Sequence, residues 1–295
     1  MSTLRDVIDE MAARLDAAGL SLADGFGQGT LTAFDEAVWL VLWRLGLPLD
    51  ELDAVADRVV TPEEHTQISA LFDERILSRK PAAYLTQEAW LQGVPFYIDE
   101  RAIIPRSFIA ELLVDESIDP WLGEDTRRVL DLCTGNGSLA VIAAMVYPDV
   151  VVDAADISLD ALAVARINVD KHAMDSRITL IESDGIAACP GIYDLILCNP
   201  PYVNAATMAA LPAEFRAEPA LALAGNMTGG SDGMDFIRAL FPRIASKMSE
   251  NAVLVLEIGN ERENFEFAFP HLDPLWFETS AGADQVMLLT RQQLL

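Results

Sequence analysis

The chain is poor in the residues that build disulfide frameworks and metal centres. Its 295 residues include three cysteines and three histidines. Cys133, Cys189 and Cys198 form no C-x-x-C pair, and the histidines are scattered along the chain. Because disulfide scaffolds and zinc sites need closely spaced cysteines or histidines, we predict neither, and no bound metal. The scarcity of cysteine fits a reducing cytoplasm.

Long apolar segments are also missing. The apolar runs are interrupted well before the roughly 18 residues that a membrane-spanning helix needs. The N-terminal stretch MSTLRDVIDE lacks the apolar core of a signal peptide. With 52% hydrophobic residues, the chain can nevertheless bury a large core. We therefore predict a cytoplasmic protein without a membrane partner.

Basic residues are few relative to acidic ones. The chain has 20 Lys and Arg against 46 Asp and Glu, which gives a formal net charge of −26. A surface of this sign repels nucleic-acid phosphates, so we expect no stable binding to nucleic acid. The same charge would attract a basic protein. An adaptation of solubility, for example to salt, explains the charge as well, and the sequence leaves both explanations open.

The apolar pattern divides the chain into a helical part and a larger α/β part. Apolar residues recur at helical spacing over residues 4–15 and 34–45. The stretch TPEE at 61–64 is a helix-start signal, with proline at the first helical position and a capping box. We predict a small helical domain over residues 1–85 that recognises a substrate or partner.

Residues 86–104 have a different character. Gly93 and Pro95 interrupt short β-type runs, which predicts a hairpin that links two domains. From 105 to 295, apolar runs alternate with helical patterns, and the runs are continuous, as in a parallel sheet covered on both faces. The last two runs, LWFETS and QVMLLTR, leave no room for a helix between them. The predicted fold class is α/β, with a seven-stranded, mostly parallel Rossmann-like sheet, an antiparallel edge hairpin and a small helical domain.

A glycine-rich loop marks a candidate ligand site. The stretch VLDLCTGNGSLA at 129–140 leaves a strand, passes Gly135 and Gly137, and enters a helix. Glycine lets the backbone approach a ligand closely at such a helix start. The spacing Gly135-x-Gly137-x-x-Ala140 satisfies the dinucleotide pattern, and Asp156 follows 19 residues after Gly137. An NAD enzyme and an S-adenosylmethionine enzyme would both show this pattern.

Three carboxylates add detail to the candidate site. Asp156, at the end of the second strand, is expected to accept the two hydroxyls of a ribose, and charged hydrogen bonds of this kind contribute about 1.5–3 kcal/mol each. Asp184 is expected to end the third strand and meet an adenine amino group. The alternative role for each of these two residues is that of a helix cap or a turn residue. Asp131 lies inside a buried strand, where a carboxylate fixes the glycine loop or receives an ammonium group of the cofactor.

The residues at the end of the fourth strand distinguish between NAD and S-adenosylmethionine as the cofactor. It carries Asn199, Pro200, Pro201 and Tyr202, which should lie beside the glycine loop because ligands bind beyond the carboxyl ends of parallel strands. The sequence shows no His–Asp or Lys–Tyr pair that would handle the proton of a hydride transfer. This favours S-adenosylmethionine over NAD.

The Asn-Pro-Pro-Tyr segment suits a planar NH₂ group. Such a nitrogen is a poor nucleophile, and two acceptors aimed at its hydrogens favour its attack on a methyl sulfonium. We expect Asn199 Oδ1 and the Pro200 carbonyl to be these acceptors, with Tyr202 packed on the flat substrate group. The alternative is a rigid turn that only ends the strand.

These motifs resemble the class I S-adenosylmethionine-dependent methyltransferases with an Asn-Pro-Pro-Tyr motif, and more narrowly the protein-(glutamine-N5) methyltransferases. The resemblance covers nearly the whole chain, including DLCTGNG, DAADIS, ESD, NPPY, EPALAL at 218–223 and LEIG at 256–259. The stretch IIPRSFIAELL at 103–113 is similar to the branch that acts on the third large-subunit ribosomal protein, uL3. Enzymes that act on release factors typically carry a Pro-Arg-Pro-(Asp/Glu)-Thr segment instead.

Three residues depart from the family pattern. Phe108 stands where the uL3 branch has proline, Cys133 where many relatives have glycine, and Gly185 where a bulkier residue often packs near the adenine. The first bears on the assignment to the branch. The other two would change cofactor affinity but not the type of reaction.

The residues and the resemblance together predict the site and its partners. The predicted catalytic residues are Asn199, Pro200 and Tyr202, and Pro201 joins them in holding the substrate glutamine. The resemblance implies a basic large-subunit ribosomal protein as substrate, with release factors as the alternative and the adenine amino group of nucleic acid as a further rival that the charge disfavours. A non-catalytic cofactor-binding module would not need Asn199. The predicted S-adenosylmethionine-binding residues are Asp131, Cys133, Thr134, Gly135, Asn136, Gly137, Asp156, Asp184, Gly185 and Asn199.

Overall fold

The computed structural model describes residues 2–20 and 29–295, and its chain forms two compact units. The first unit contains the chain up to Ala89 together with Leu211–Ala217. The second contains Trp90–Ala210 and Glu218–Leu295. The return of residues 211–217 to the first unit has no counterpart in the sequence pattern.

The first unit is helical. Two of its helices begin with complete capping boxes, formed by Thr3 with Asp6 and by Thr61 with Glu64. The sequence predicted the second box but not the first, because Asp6 stands where Glu or Gln is usual. The helices are α1 (Leu4–Ala17), α2 (Ala33–Arg44), α3 (Leu52–Val55), α4 (Pro62–Ser78) and α5 (Ala82–Thr86), with a 3₁₀ turn at Phe215–Ala217.

The core of the first unit encloses charged side chains as well as apolar ones. Arg75 is fully buried, and its Nε donates to Glu36 Oε1 at 2.7 Å. Its Nη1 reaches Glu214 Oε1 at 3.4 Å, and Glu214 belongs to the returning segment 211–217. A buried charge that loses its partner destabilises a fold strongly. The ion pairs therefore hold this segment in the first unit.

The second unit consists of strands and connecting helices, and β1 begins in the first unit and ends in the second. The strands are β1 (Glu88–Leu91), β2 (Val94–Tyr97), β3 (Arg128–Leu132), β4 (Val151–Asp156), β5 (Ile178–Glu182), β6 (Tyr193–Cys198), β7 (Met248–Glu257), β8 (Leu275–Thr279) and β9 (Gly282–Thr290). The helices are α6 (Ile109–Val114), α7 (Ser138–Val146), α8 (Leu159–Lys171), α9 (Ala205–Ala210), α10 (Ala220–Leu223), α11 (Asp235–Ile244) and α12 (Arg262–Ala268). Short 3₁₀ turns lie at Asp119–Trp121, Ala245–Lys247 and Arg291–Leu294.

Seven strands form one mixed sheet in the order β5-β4-β3-β6-β7-β9-β8. The pairs among β3 to β7 are parallel, whereas β9 runs antiparallel to both β7 and β8. The strand order reverses between β3 and β6, which is where open α/β sheets bind ligands. The predicted fold class, with its antiparallel edge hairpin, is confirmed.

The sheet is covered on both faces, as its continuous apolar strands predicted. One face packs with α6 and α7, through residues such as Leu112 and Ile142. The other packs with α11 and α12, through residues such as Ile237 and Phe265. In the described part of the chain, none of the helices combines the length and the hydropathy needed to cross a membrane.

Candidate active site

The predicted site residues lie along one edge of the sheet, where the parallel strands end. Leu132 is in register with both Ala155 and Cys198, and Cys198 is in register with Leu256. The glycine loop, Asp156 and Asn199 therefore follow neighbouring strand ends. The local alternation of strand and helix was enough to predict this juxtaposition.

The glycine loop has three residues in the left-handed region, which explains its composition. Gly135 has φ +55° and Gly137 has φ +81°. A Cβ on Gly137 would lie 3.1 Å from the Cβ of Ala165, so glycine also permits the contact between the start of α7 and helix α8. Cys133 has φ +63°, although the left-handed conformation costs a non-glycine residue about 1–2 kcal/mol. Glycine, which the family resemblance leads us to expect at this position, would adopt it without strain.

Asp131 fixes the loop with one oxygen. Its Oδ2 accepts hydrogen bonds from Thr134 Oγ1 at 2.5 Å and from the backbone N–H of Ala140 at 3.0 Å. Its Oδ1 is buried and has no hydrogen-bond partner among the described residues. Burial raises the pKa of Asp131 to about 7. One carboxylate oxygen thus holds the loop, as predicted for a buried aspartate, while the other is available to a cationic group.

Asn136 has an unpaired hydrogen-bond donor, the counterpart of the unpaired acceptor on Asp131. It is almost fully buried, and its Oδ1 accepts from the backbone N–H of Ser138 at 3.1 Å. Its Nδ2 has no hydrogen-bond partner in residues 2–20 and 29–295. Buried polar atoms are rarely left unpaired, so an unpaired acceptor on Asp131 and an unpaired donor on Asn136 fit a ligand that carries both an ammonium and a carboxylate group.

Asp156 has backbone partners that its sequence position did not predict. Its Oδ2 accepts from the N–H of Gly135 and its Oδ1 from the N–H of Ser158, both at 2.9 Å. Burial raises its pKa, and these N–H groups oppose that effect. Each oxygen retains a second lone pair, so the carboxylate is able both to hold the loop and to accept further hydroxyl groups.

Asp184 does not end a strand, contrary to the sequence prediction. Strand β5 ends at Glu182, and Asp184 is an exposed residue of the turn that follows. The turn forms because Ser183 Oγ donates to the Gly185 carbonyl at 2.7 Å and accepts from the N–H of Ala188 at 3.0 Å. Gly185 has φ +53°, and a Cβ there would meet no described atom within 4 Å. The positive φ accounts for glycine at this position.

Two neighbouring thiols, those of Cys133 and Cys198, lie at the ends of β3 and β6. The neighbouring Cys198 thiol and burial raise the pKa of Cys133 well above its usual value. Both cysteines pack against the apolar core on this face of the sheet. The raised pKa keeps the Cys133 thiol in its neutral form, which is a poor nucleophile.

The Asn-Pro-Pro-Tyr segment follows β6 directly, and Tyr202 is closely packed. Both prolines are buried, and Asn199 is partly exposed. A Cβ on Gly225 would lie 2.8 Å from the Tyr202 carbonyl carbon, and a Cβ on Gly259 would lie 2.6 Å from Tyr202 Cε2. These glycines leave room for the tyrosine backbone and ring. A segment that only ended a strand would not need its aromatic side chain held in this way.

Sequence reasoning gave no role to two buried glutamates that bind the segment at 103–108. Glu218 accepts from Arg106 Nη1 at 2.5 Å and Nη2 at 2.7 Å. Glu257, at the end of β7, accepts from Ser107 Oγ at 2.6 Å. Burial raises the pKa of Glu257 to about 7. The motifs EPALAL and LEIG contain these glutamates, but neither motif identifies a partner more than 100 residues away along the chain.

Comparison with known proteins agrees with this geometry. The family described as Methyltransferase small domain matches residues 110–227. The ribosomal protein uL3 glutamine methyltransferase of Bordetella pertussis is 50% identical over 297 residues, which cover 100% of this chain and 97% of the relative. The chain belongs to the family of uL3 glutamine methyltransferases. The Burkholderia pseudomallei member is 47% identical over 303 residues, which cover 99% of this chain and 95% of that relative.

The chain is therefore a methyltransferase, and its fold also occurs in solved structures of low sequence identity to it. The catalytic domain of hMettl16, solved in complex with a MAT2A 3′UTR hairpin, aligns with a TM-score of 0.51 at 13% identity. The alignment covers 78% of this chain and 81% of that chain. At this identity the likeness shows the shared Rossmann-like fold alone.

Proposed function

We propose that the chain transfers a methyl group from S-adenosylmethionine to the side-chain amide nitrogen of a glutamine in ribosomal protein uL3. The observation that carries the proposal is the 50% identity over the whole chain to a relative named for this activity. The likeness of the stretch at 103–113 to the uL3 branch supports the same substrate, and buried glutamates hold two of its side chains, Arg106 and Ser107.

The polar atoms of the glycine loop fit the cofactor. S-adenosylmethionine carries an ammonium and a carboxylate on its methionine part, which suit the unpaired Asp131 Oδ1 and Asn136 Nδ2. Asp156 would accept the ribose hydroxyls beside its two backbone bonds, and the exposed Asp184 with Gly185 would border the adenine. When bound, the cofactor supplies an electrophilic methyl group on a sulfonium. Cys133 to Gly137 shape the backbone that approaches it.

The chain's own residues would activate the acceptor. Asn199 Oδ1 and the Pro200 carbonyl accept one hydrogen each from the glutamine NH₂, which favours the pyramidal nitrogen of the transition state. The prolines fix the direction of the carbonyl. Tyr202 packs against the flat amide and aligns it. The proton becomes acidic after transfer, so no general base is required before it.

The partners follow from charge and from the names of the relatives. A free, basic large-subunit protein suits a chain with a net charge of −26, whereas nucleic acid does not. The helical first unit would recognise this protein, and the reaction would take place in the cytoplasm. Release factors are the competing substrates, because the resemblance implies that other enzymes of the wider family modify a glutamine of these factors.

A methyl-transfer assay distinguishes these substrates. Purified uL3 and release factors are offered side by side with S-adenosylmethionine, and mass spectrometry locates the added methyl. We expect a gain of one methyl on a glutamine of uL3 and none on the release factors. Methylation confined to a release factor would overturn the substrate assignment, and loss of all transfer would overturn the proposed function.

A further inference from the structure

The end of β7 and the connection that follows it contact Tyr202 and Asn204 at three alternate positions. These are Glu257, Gly259 and Glu261, which we call the Tyr202 support. Gly259 has φ +53°, and its missing side chain leaves the space in which the Tyr202 ring lies. A Cβ there would meet Tyr202 Cε2 at 2.6 Å and Cζ at 3.0 Å, well inside van der Waals contact. The ring therefore rests directly on the backbone of this connection.

Glu257 connects Tyr202 to the 103–108 segment. One of its oxygens accepts from Ser107 Oγ at 2.6 Å and from the backbone N–H of Phe108 at 2.9 Å. The other faces the Tyr202 hydroxyl at 3.4 Å. That separation exceeds the usual O–H···O range, so the contact with Gly259 contributes most to the position of the ring.

Glu261 holds the chain two residues beyond the tyrosine. Its Oε1 accepts from Asn204 Nδ2 at 2.7 Å and from the Asn204 backbone N–H at 3.3 Å. Its Oε2 accepts from Asn264 Nδ2 at 2.5 Å. Both ends of the Tyr202–Asn204 segment are thus attached to the same connection.

We propose that Glu257, Gly259 and Glu261 are positioning residues for methyl transfer, which hold the Tyr202 ring in the orientation that aligns the acceptor amide. The inference rests on the proposed function for the identity of the acceptor. It adds a structural link from the branch-specific 103–108 segment, through Glu257, to the ring that contacts the substrate.

Phe108 takes part in this link through its backbone. The resemblance predicts proline at this position, and proline has no N–H to donate to Glu257. The departure therefore gives this chain one more donor to the Glu257 carboxylate than the branch pattern provides. The same position that departs from the family in sequence thus strengthens the Tyr202 support.

The contact with Gly259 is tested by a matched pair of substitutions. Gly259→Ala places a methyl group against the ring. Gly46→Ala imposes similar backbone strain at φ +63° but meets no described atom within 4 Å. Both variants should lower the melting temperature, and Gly259→Ala should lower it further because it adds the clash with the ring to the backbone strain. Only Gly259→Ala should lower kcat, by about tenfold or more, because small misplacements of reacting groups are costly. The dissociation constant of S-adenosylmethionine, measured by calorimetry, should stay within about threefold of wild type.

The polar part of the support is tested by a double-mutant cycle. Tyr202→Phe keeps the ring and removes its hydroxyl, and Glu257→Gln keeps the shape of the side chain. We expect each single variant to lower kcat by about threefold and the double variant to lower it no further, since residues that act through one contact are not additive. Independent, multiplying effects would remove Glu257 from the support.

A spectroscopic measurement separates this proposal from the proposed function. The chain has five tyrosines, so ring resonances of ¹³C-tyrosine-labelled protein are few, and Tyr202→Phe assigns the one of interest. That resonance should shift in Gly259→Ala and stay in place in Gly46→Ala. An unmoved resonance overturns the support even if uL3 is methylated. A shifted resonance in a protein that methylates nothing overturns the proposed function alone.

Discussion

At the scale of single residues, the candidate site is defined by polar atoms that the fold leaves unpaired. Asp131 and Asn136 are nearly fully buried, and each uses one side-chain atom to hold the glycine loop. The remaining atom of each has no partner in the described chain. Burial without pairing destabilises the unliganded state. A ligand that supplies both partners would recover this free energy on binding.

The pKa of Asp131 predicts proton release when the cofactor binds. The folded carboxyl has a pKa of about 7, above its usual 3.8, so near pH 6 it is mostly protonated. Pairing with an ammonium group requires the ionised form, and binding must then expel a proton. The affinity for S-adenosylmethionine should therefore fall as the pH drops below about 7, by up to about tenfold per unit. Calorimetry at pH 6 in two buffers of different ionisation enthalpy measures the release.

Asp131→Asn is the matched control for this linkage. The enthalpy with which this variant binds S-adenosylmethionine at pH 6 should not depend on the buffer, because it has no carboxyl proton to release. The wild-type protein should also show no buffer dependence at pH 8.5, where Asp131 is already ionised. In the unliganded protein, Asp131 makes the free energy of unfolding depend on pH with the opposite sign to that of a salt-bridged carboxylate. The reason is that the folded state holds the proton to higher pH than the unfolded chain does. This group therefore lowers the free energy of unfolding as the pH rises from about 4 to about 7. A buffer-independent enthalpy at pH 6 would exclude a pairing of Asp131 with the ammonium.

Asn199 should contribute to the chemical step more than to cofactor binding. Removal of one acceptor from the NH₂ group is expected to lower kcat by roughly 10²–10³, as for other preorganised hydrogen-bonding groups. Asn199→Ala is compared with Asn251→Ala, which changes an exposed residue of β7. Single-turnover methyl transfer is the measurement. Activity of Asn199→Ala within threefold of the control would leave the segment as a simple strand end.

At the scale of elements, local signals predicted the sheet but not the contacts that fix its loops. Continuous apolar runs identified the strands from β3 to β9, and TPEE identified the start of α4. The predicted end of β5 was wrong because the turn beyond the strand depends on hydrogen bonds of the Ser183 hydroxyl, which a residue pattern does not reveal. The Arg75 ion pairs that hold residues 211–217 were missed, since their partners are distant along the chain.

Asn168 makes contacts of this kind, which join elements that are distant along the chain. From α8, its Oδ1 accepts from the Tyr97 N–H at 2.7 Å, and its Nδ2 donates at 2.9 Å to the carbonyls of Tyr97 and Asn136. It thereby joins β2, α8 and the glycine loop. The sequence could not single it out, because an asparagine within a helix usually faces solvent. Its side chain is fully buried.

Asn168→Ala should therefore both destabilise the second unit and loosen the loop. Three backbone groups, two of them partly buried and one fully buried, lose a partner, and we expect the free energy of unfolding in urea to fall by about 3 kcal/mol. The affinity for S-adenosylmethionine should fall as well, because the Asn136 carbonyl is no longer held. The exposed Asn251→Ala serves as the comparison and should change neither quantity. Unchanged stability in Asn168→Ala would show that water replaces these bonds without loss.

At the scale of the whole molecule, charge is the property that relates most directly to a partner. The net charge of −26 is carried by surfaces such as that of α1, which exposes Asp6, Asp9, Glu10 and Asp16. Charge of one sign raises the rate of encounter with a partner of the opposite sign. It also keeps a protein soluble in salt, so composition alone does not choose between the two roles.

The dependence of kcat/KM on ionic strength decides between them. If the charge steers a basic uL3 protein, then kcat/KM should fall several-fold between about 50 and about 500 mM NaCl, because screening shortens the range of attraction. The value of kcat and the affinity for S-adenosylmethionine should change little, since neither depends on the encounter. If the charge is an adaptation to salt, kcat/KM should stay flat or rise while the melting temperature increases. A flat profile would therefore remove steering from the proposed function, and the acidic surface would then serve solubility.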